Sequence, residues 1–263
     1  VRLAWPHDQT LTTLAPPMEA LAHIATPEFA LAFFVSFIAA ALHSTVGFGF
    51  ALLSVPILSL LNPLFAPVPQ LLVVFPLTLA IVLRERHALE VKSTLWIFAG
   101  RLPGAAIGVV LLKLLSSAAL DILMSLMVIL GVVIVVNRGA FRRTSPREFI
   151  AGVASGTMAM VSAIGGPPIA LLYRNDSGPT VRANLGLVFA IGICITISVR
   201  AAAGEVSLEE VVVGAALMPA VWLGLRASKV LIPRVDGPRL RNAIVVIAGA
   251  AALLLLGRGV FSW

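Results

Sequence analysis

The sequence predicts an all-α integral membrane protein built as two inverted repeats, each a broken helical hairpin followed by three transmembrane helices. Three observations carry that prediction. The chain of 263 residues is 59% hydrophobic and only 12% charged, whereas a soluble domain carries roughly a quarter charged residues. Its apolar residues gather into eight runs, most of them long enough for the roughly 20 residues that cross a bilayer. Two of those runs are broken by Gly and Pro at places 118 residues apart, at Gly47-Phe48-Gly49 and at Gly165-Gly166-Pro167-Pro168.

Taken in order, residues 1–27 contain Pro and mix polar with apolar positions. They read as a loose or interfacial leader, since no basic start precedes a compact apolar core. The run 28–62 is too long for one crossing. As a straight helix it would measure ~52 Å against a hydrocarbon core of ~30 Å. It therefore bends, and Gly47–Gly49 is where the sequence permits it. Runs 68–84, 94–115 and 119–137 each suit one crossing and complete a first repeat over 28–140. The second repeat, 141–263, begins with the run 148–173, broken at Gly165–Pro168, and continues with 183–203, 208–226 and 241–260.

Loop charge favours hairpins at the two breaks. Eight single crossings would leave ten Lys/Arg on one side and eight on the other. If both broken runs return to their own side, fourteen face one side, Arg84 and Arg182 among them, and four face the other: Arg2, Lys113, Arg200 and Arg258. Arg101 then remains within the membrane. That asymmetry is a positive-inside pattern with both termini outside. The halves also match residue by residue. Ser44, Gly47, Thr78 and Gly131 recur as Ser162, Gly165, Thr196 and Gly249, each 118 later. Pro103, Gly108 and Lys113 recur as Pro219, Gly224 and Lys229, each 116 later. Three crossings per half turn the second repeat upside down.

Composition also excludes several classes. The net charge of +7 is accounted for by Lys/Arg kept in cytoplasmic loops and calls for no nucleic acid. The single Cys194 rules out an internal disulfide and a multi-cysteine metal site. No Gly-x-Ser-x-Gly elbow, His-Glu-x-x-His motif or Walker loop is present, so neither an enzyme nor a cofactor is expected. Asp and Glu fall almost entirely in loops, which leaves no carboxylate site for a metal or Na⁺ at the midplane. A homo-oligomer is compatible with all of this.

The candidate chemistry is that of an anion. Arg101 lies about 12 Å into its helix, where a guanidinium must be paired or face water. Its planar fork matches oxyanions, and the competing reading is an Arg that snorkels to the headgroups. Gly47, Gly49, Gly165 and Gly166, with Pro167 beside them, can open backbone N–H groups and helix starts toward a ligand, or merely let helices pack closely. Ser44 and Ser162 flank the breaks and donate either to an oxyanion or to their own helix. Phe48 and Phe50 gate such a site or fill space around it. Asn184 lines the pathway or joins helices. His43 is a candidate for proton coupling or for a neutral hydrogen bond between helices.

The stretches Gly-Phe-Gly-Phe-Ala-Leu-Leu-Ser-Val-Pro at 47–56, Gly-Arg-Leu-Pro-Gly-Ala-Ala-Ile-Gly at 100–108 and Gly-Gly-Pro-Pro at 165–168 resemble the TauE/SafE family of membrane anion exporters, over about residues 28–260. The chain departs from the family's Gly-rich signatures at Phe48, Phe50, Pro167 and Pro168, and has Asn184-Leu185 near the family's Thr-Ser pair. The resemblance implies a multi-pass permease of the bacterial inner membrane that exports a small sulfur-containing anion, such as sulfite or an organosulfonate. A passive anion channel and a permease for a small carboxylate are the alternatives.

Overall fold

The computed structural model describes residues 23–136, 142–173, 175–231 and 238–261. Most of the expected leader lies outside them, as do Arg2, Arg138, Arg174 and Arg234 of the charge count. The described chain is helical, with no strand. The first half contains α1 (Pro27–Val46), α2 (Phe50–Leu61), α3 (Val68–Glu85), α4 (Leu95–Leu114) and α5 (Ser117–Val136). The second contains α6 (Ser145–Ser162), α7 (Gly166–Leu172), α8 (Gly178–Ala202), α9 (Leu208–Leu231) and α10 (Pro238–Phe261). The succession of lengths in the first half returns in the second, with a short helix second in each.

The local chemistry sets these boundaries. Thr26 caps α1, its Oγ1 accepting from the Phe29 N–H at 3.2 Å, with Pro27 and Glu28 in the first turn; Pro and a carboxylate both suit a helix start. α1 ends because Gly47 turns left-handed at φ 95°, and Gly49 does so again at φ 105° before α2 begins. Residues with a Cβ rarely adopt that conformation. In the second half the left-handed residue after α6 is Ala163, at φ 58°. Ser177 caps α8, its hydroxyl accepting from the Thr180 N–H.

Among the described residues six segments are long and apolar enough to cross a membrane: α1, residues 63–88 around α3, α4, Ser117–Ile134 of α5, α8, and Leu208–Val230 of α9. The set differs from the expected one in two members: α1 enters it, and the expected crossing 241–260 does not. The outer arm of the first broken run is by itself a crossing of 20 residues, about 30 Å long. The inner arm α2 has 12 residues, about 18 Å, and packs against α1. The last expected crossing, 241–260, lies in the 24-residue α10. Large apolar side chains face outward, among them Leu102, Val110, Leu130, Ile150, Trp222 and Leu254, while Ser36, Gln70, Thr78, Arg101, Asn184 and Arg200 are buried. A surface of this kind suits lipid rather than water.

Helix packing follows one pattern twice. α4 packs on α6, as α9 does on α1. α3 packs on α8, and α5 on α10. Exchanging the halves leaves this scheme unchanged. The α4–α6 seam is the closest contact. A Cβ on Gly104 would lie 2.3 Å from the Val153 carbonyl oxygen, and one on Gly152 would lie 2.3 Å from that of Ile97. Thr157 Oγ1 donates across the seam to the Gly104 carbonyl at 3.0 Å. Without a hydrophobic drive between helices in lipid, contact this close supplies the dispersion and hydrogen bonding that hold them.

Candidate functional site

The two breaks meet. A Cβ on Gly166 would lie 3.4 Å from Phe48 Cβ, so the second break is packed against the first. Beside this contact is a cavity. Its wall includes the first turn of α2 (Phe50, Ala51 and Leu52) after Gly49, and the segment Ala163–Pro167 leading into α7. α1 adds His43, α4 adds Arg101, and α8 adds Phe189 and Ile193. The N-cap residue of α2, Gly49, has no side chain to cap it, and a helix start carries a partial positive charge.

Arg101 is 3% exposed. Its Nη1 donates to Ser155 Oγ at 2.8 Å, and that hydroxyl donates to the Gly165 carbonyl at 2.6 Å. A relay thus ties the guanidinium to the second break. Its flat face lies on bare backbone: a Cβ on Gly192 would sit 2.3 Å from Arg101 Cζ and from Nη2. Only glycine leaves room for the group there. Among the described residues no Asp or Glu lines the cavity, and the Ser155 hydroxyl is the one hydrogen-bond partner of the Arg101 side chain.

His43 is equally enclosed, 3% exposed. Its Nδ1 accepts a long bond, 3.4 Å, from the Phe50 N–H. A nitrogen that accepts carries no proton, so the ring's proton belongs on Nε2. Nε2 has no partner among the described residues. The His43 ring stands 6.0 Å from that of Phe189 and 6.4 Å from that of Phe50. The cavity therefore offers one guanidinium and one N–H donor in a hydrocarbon wall. That combination attracts an anion and repels a cation.

The remaining expected site residues divide. Gly49, Gly165, Gly166 and Pro167 line the cavity, and Phe48 packs at its edge against Gly166. Gly47 lies away from it: its N–H donates to the His43 carbonyl at 2.7 Å, and a Cβ there would meet Arg182 at 3.1 Å. Ser44 and Ser162 use their hydroxyls on the carbonyls of Ala40 and Met158 in their own helices. Asn184 joins elements: its Oδ1 accepts from the Glu90 N–H at 2.9 Å and its Nδ2 donates to the Thr180 carbonyl at 3.0 Å.

Three arginines counted as loop charges turn out to cap the broken helices. Arg84 Nη2 donates to the Ser44 carbonyl at 2.9 Å and Arg182 Nη1 to that of Thr45 at 3.4 Å. Glu85 bridges them, 3.1 Å from Arg84 Nε and 2.9 Å from Arg182 Nε. Arg200, 4% exposed, donates to the carbonyls of Met160 and Val161 at the end of α6. Both first arms thus have their orphan carbonyls and negative dipole ends neutralised.

The family model described as Sulfite exporter TauE/SafE matches residues 32–255, most of the chain. The chain belongs to the TauE/SafE family. Searches of the curated proteins and of the solved structures return no match. The TauE/SafE match spans both breaks, Arg101, His43 and Gly192, so the cavity lies wholly inside the family's part of the chain. Family membership and six membrane-length apolar helices make this a multi-pass membrane protein of a transporter family.

Proposed function

We propose that this chain exports a small oxyanion, sulfite or another sulfur oxyanion or organosulfonate, across the bacterial inner membrane, with the cavity between the two breaks as its binding site. The observation that carries this reading is the Arg101 guanidinium, buried in an apolar cavity with no carboxylate beside it among the described residues. A charge so placed is costly unless an opposite charge joins it, and the occupant that lowers that cost is an anion. The Nε2–H of His43 and the first turn of α2 supply further donors around it. His43 acts here as a neutral donor, and proton coupling is not required.

The pairwise exchange of helix contacts between the halves supports inverted repeats. Rocking one half against the other would expose the cavity to each side in turn. The α4–α6 and α1–α9 contacts each join one helix from either half and form the surfaces about which that motion is organised. Outward transport follows the family description. An inside-negative potential favours anion exit by about 2.3 kcal/mol per charge per 100 mV. The substrate crosses chemically unchanged, since the reading requires no catalytic step.

Efflux of sulfite from proteoliposomes containing the purified protein tests this. Efflux above that of protein-free vesicles, with sulfite recovered intact, is expected. It should fall about tenfold or more in Arg101→Gln, as loss of a charge-assisted bond implies. Equal efflux from wild type and Arg101→Gln vesicles would overturn the assignment of the site.

A further inference from the structure

The charge inventory of the cavity constrains what it takes beyond the word anion. Arg101 is the one ionised side chain on the wall among the described residues, and its contacts, the Ser155 hydroxyl and the Gly192 backbone, are neutral. His43 adds a donor without adding charge, because its Nδ1 accepts from the Phe50 N–H, and that bond would be lost in a doubly protonated ring. Apart from the backbone of the breaks, the other side chains on the wall are hydrocarbon, Leu71, Val74, Ile164, Phe189 and Ile193 among them. Among the described residues the cavity wall therefore carries a single full positive charge.

We propose that the cavity selects a singly charged oxyanion, one whose remaining surface is apolar or protonated, and discriminates against dianions. The inference rests on reading the cavity as the substrate site. A monoanion against Arg101 makes a neutral pair, which an apolar enclosure tolerates. A dianion would leave one negative charge uncompensated against Phe189, Ile193 and Leu71, with no second cation to meet it. The hydrocarbon wall further favours an occupant with an apolar face opposite its charged head, such as an alkanesulfonate. Sulfite itself would be taken in its singly protonated form, hydrogensulfite.

Methanesulfonate and sulfate separate these cases, because they share a tetrahedral sulfur head of similar size and differ in charge and in one apolar face. Their affinities are measured by isothermal titration on the purified wild-type protein, with Arg101→Gln, shown by a thermal melt to be folded, beside it. Methanesulfonate is expected to bind about tenfold or more tightly than sulfate, and sulfite affinity is expected to weaken as pH rises and hydrogensulfite gives way to sulfite. Sulfate binding as well as methanesulfonate, with both lost in Arg101→Gln, would overturn monoanion selection while leaving the anion site in place. Binding of all three anions unchanged by Arg101→Gln would overturn the site itself, and the selectivity with it.

Discussion

Replacing Gly192 with alanine would put a methyl carbon 2.3 Å from Arg101 Cζ, 2.3 Å from Nη2 and 2.5 Å from Nε. Three such contacts cannot coexist, and the flexible guanidinium is the group that yields. Its displacement breaks the 2.8 Å bond to Ser155 Oγ and removes the fork from its place in the cavity. Loss of one charge-assisted hydrogen bond to a bound anion amounts to about 1.5–3 kcal/mol, or roughly ten- to a hundredfold in Kd. Against this, alanine is favoured over glycine inside a helix by about 1 kcal/mol, and Gly192 lies well within α8. The variant should therefore fold and retain its melting temperature to within a few degrees, while its sulfite affinity falls by one to two orders of magnitude. Isothermal titration beside a thermal melt reads both quantities on one preparation. A Gly192→Ala protein that melts normally and binds sulfite with wild-type affinity would refute the argument that this guanidinium, held on bare backbone, is the anion's partner.

Three further outcomes follow from the same geometry. Ala163→Gly relieves a left-handed alanine at φ 58° and should stabilise the fold by about 1 kcal/mol, seen as a higher melting temperature. Gly104→Leu drives a side chain into the Val153 carbonyl, where even a Cβ would lie at 2.3 Å; it should part α4 from α6 and sharply reduce the yield of monodisperse protein in size-exclusion chromatography. Asn184→Ala removes the bonds to Glu90 and Thr180 and should cost about 1–2 kcal/mol of stability, while anion affinity stays within about twofold, because Asn184 does not line the cavity.

What the sequence made legible was whatever violates a local rule. Paired Gly and Pro inside apolar runs stand out because a helix in lipid has no use for them, and they mark where the two broken helices meet. Arg101 stands out because a charge inside such a run needs a partner. The partner surface was not legible. Gly192 is one of 21 glycines, and only the packing of α8 against α4 reveals that it makes room for a guanidinium. Ser155 looks like any small residue of a transmembrane helix until the relay to Gly165 places it. Ser44 and Ser162 were ambiguous because the carbonyl four residues back competes for the hydroxyl, and in this protein it wins at both sites. Arg84, Arg182 and Arg200 lie at the ends of apolar runs, where a basic residue reads as a loop charge. Their role as caps depends on a helix end brought from far along the chain, 40 residues away for Arg200 and Met160.

The packing scheme was legible only in part. An offset near 118 residues between like residues announces a repeat, and the order of helix lengths follows it. The offset does not say which helix of one half touches which of the other. The α4–α6 seam illustrates this. Gly100 and Gly104 match Ala216 and Ala220 at the 116-residue offset, so the glycine contact is not reproduced where α9 meets α1. There Gly224 alone makes the close approach, 2.4 Å from a Cβ to the Phe37 carbonyl oxygen.

The most direct test of the account is a sulfite binding isotherm on the purified protein, wild type beside Arg101→Gln, with a thermal melt of each to show that both are folded. The account predicts saturable binding to the wild type and a Kd raised about tenfold or more in the variant. Two folded proteins with the same isotherm would contradict it, since the anion would then lie somewhere other than the cavity where the two breaks meet.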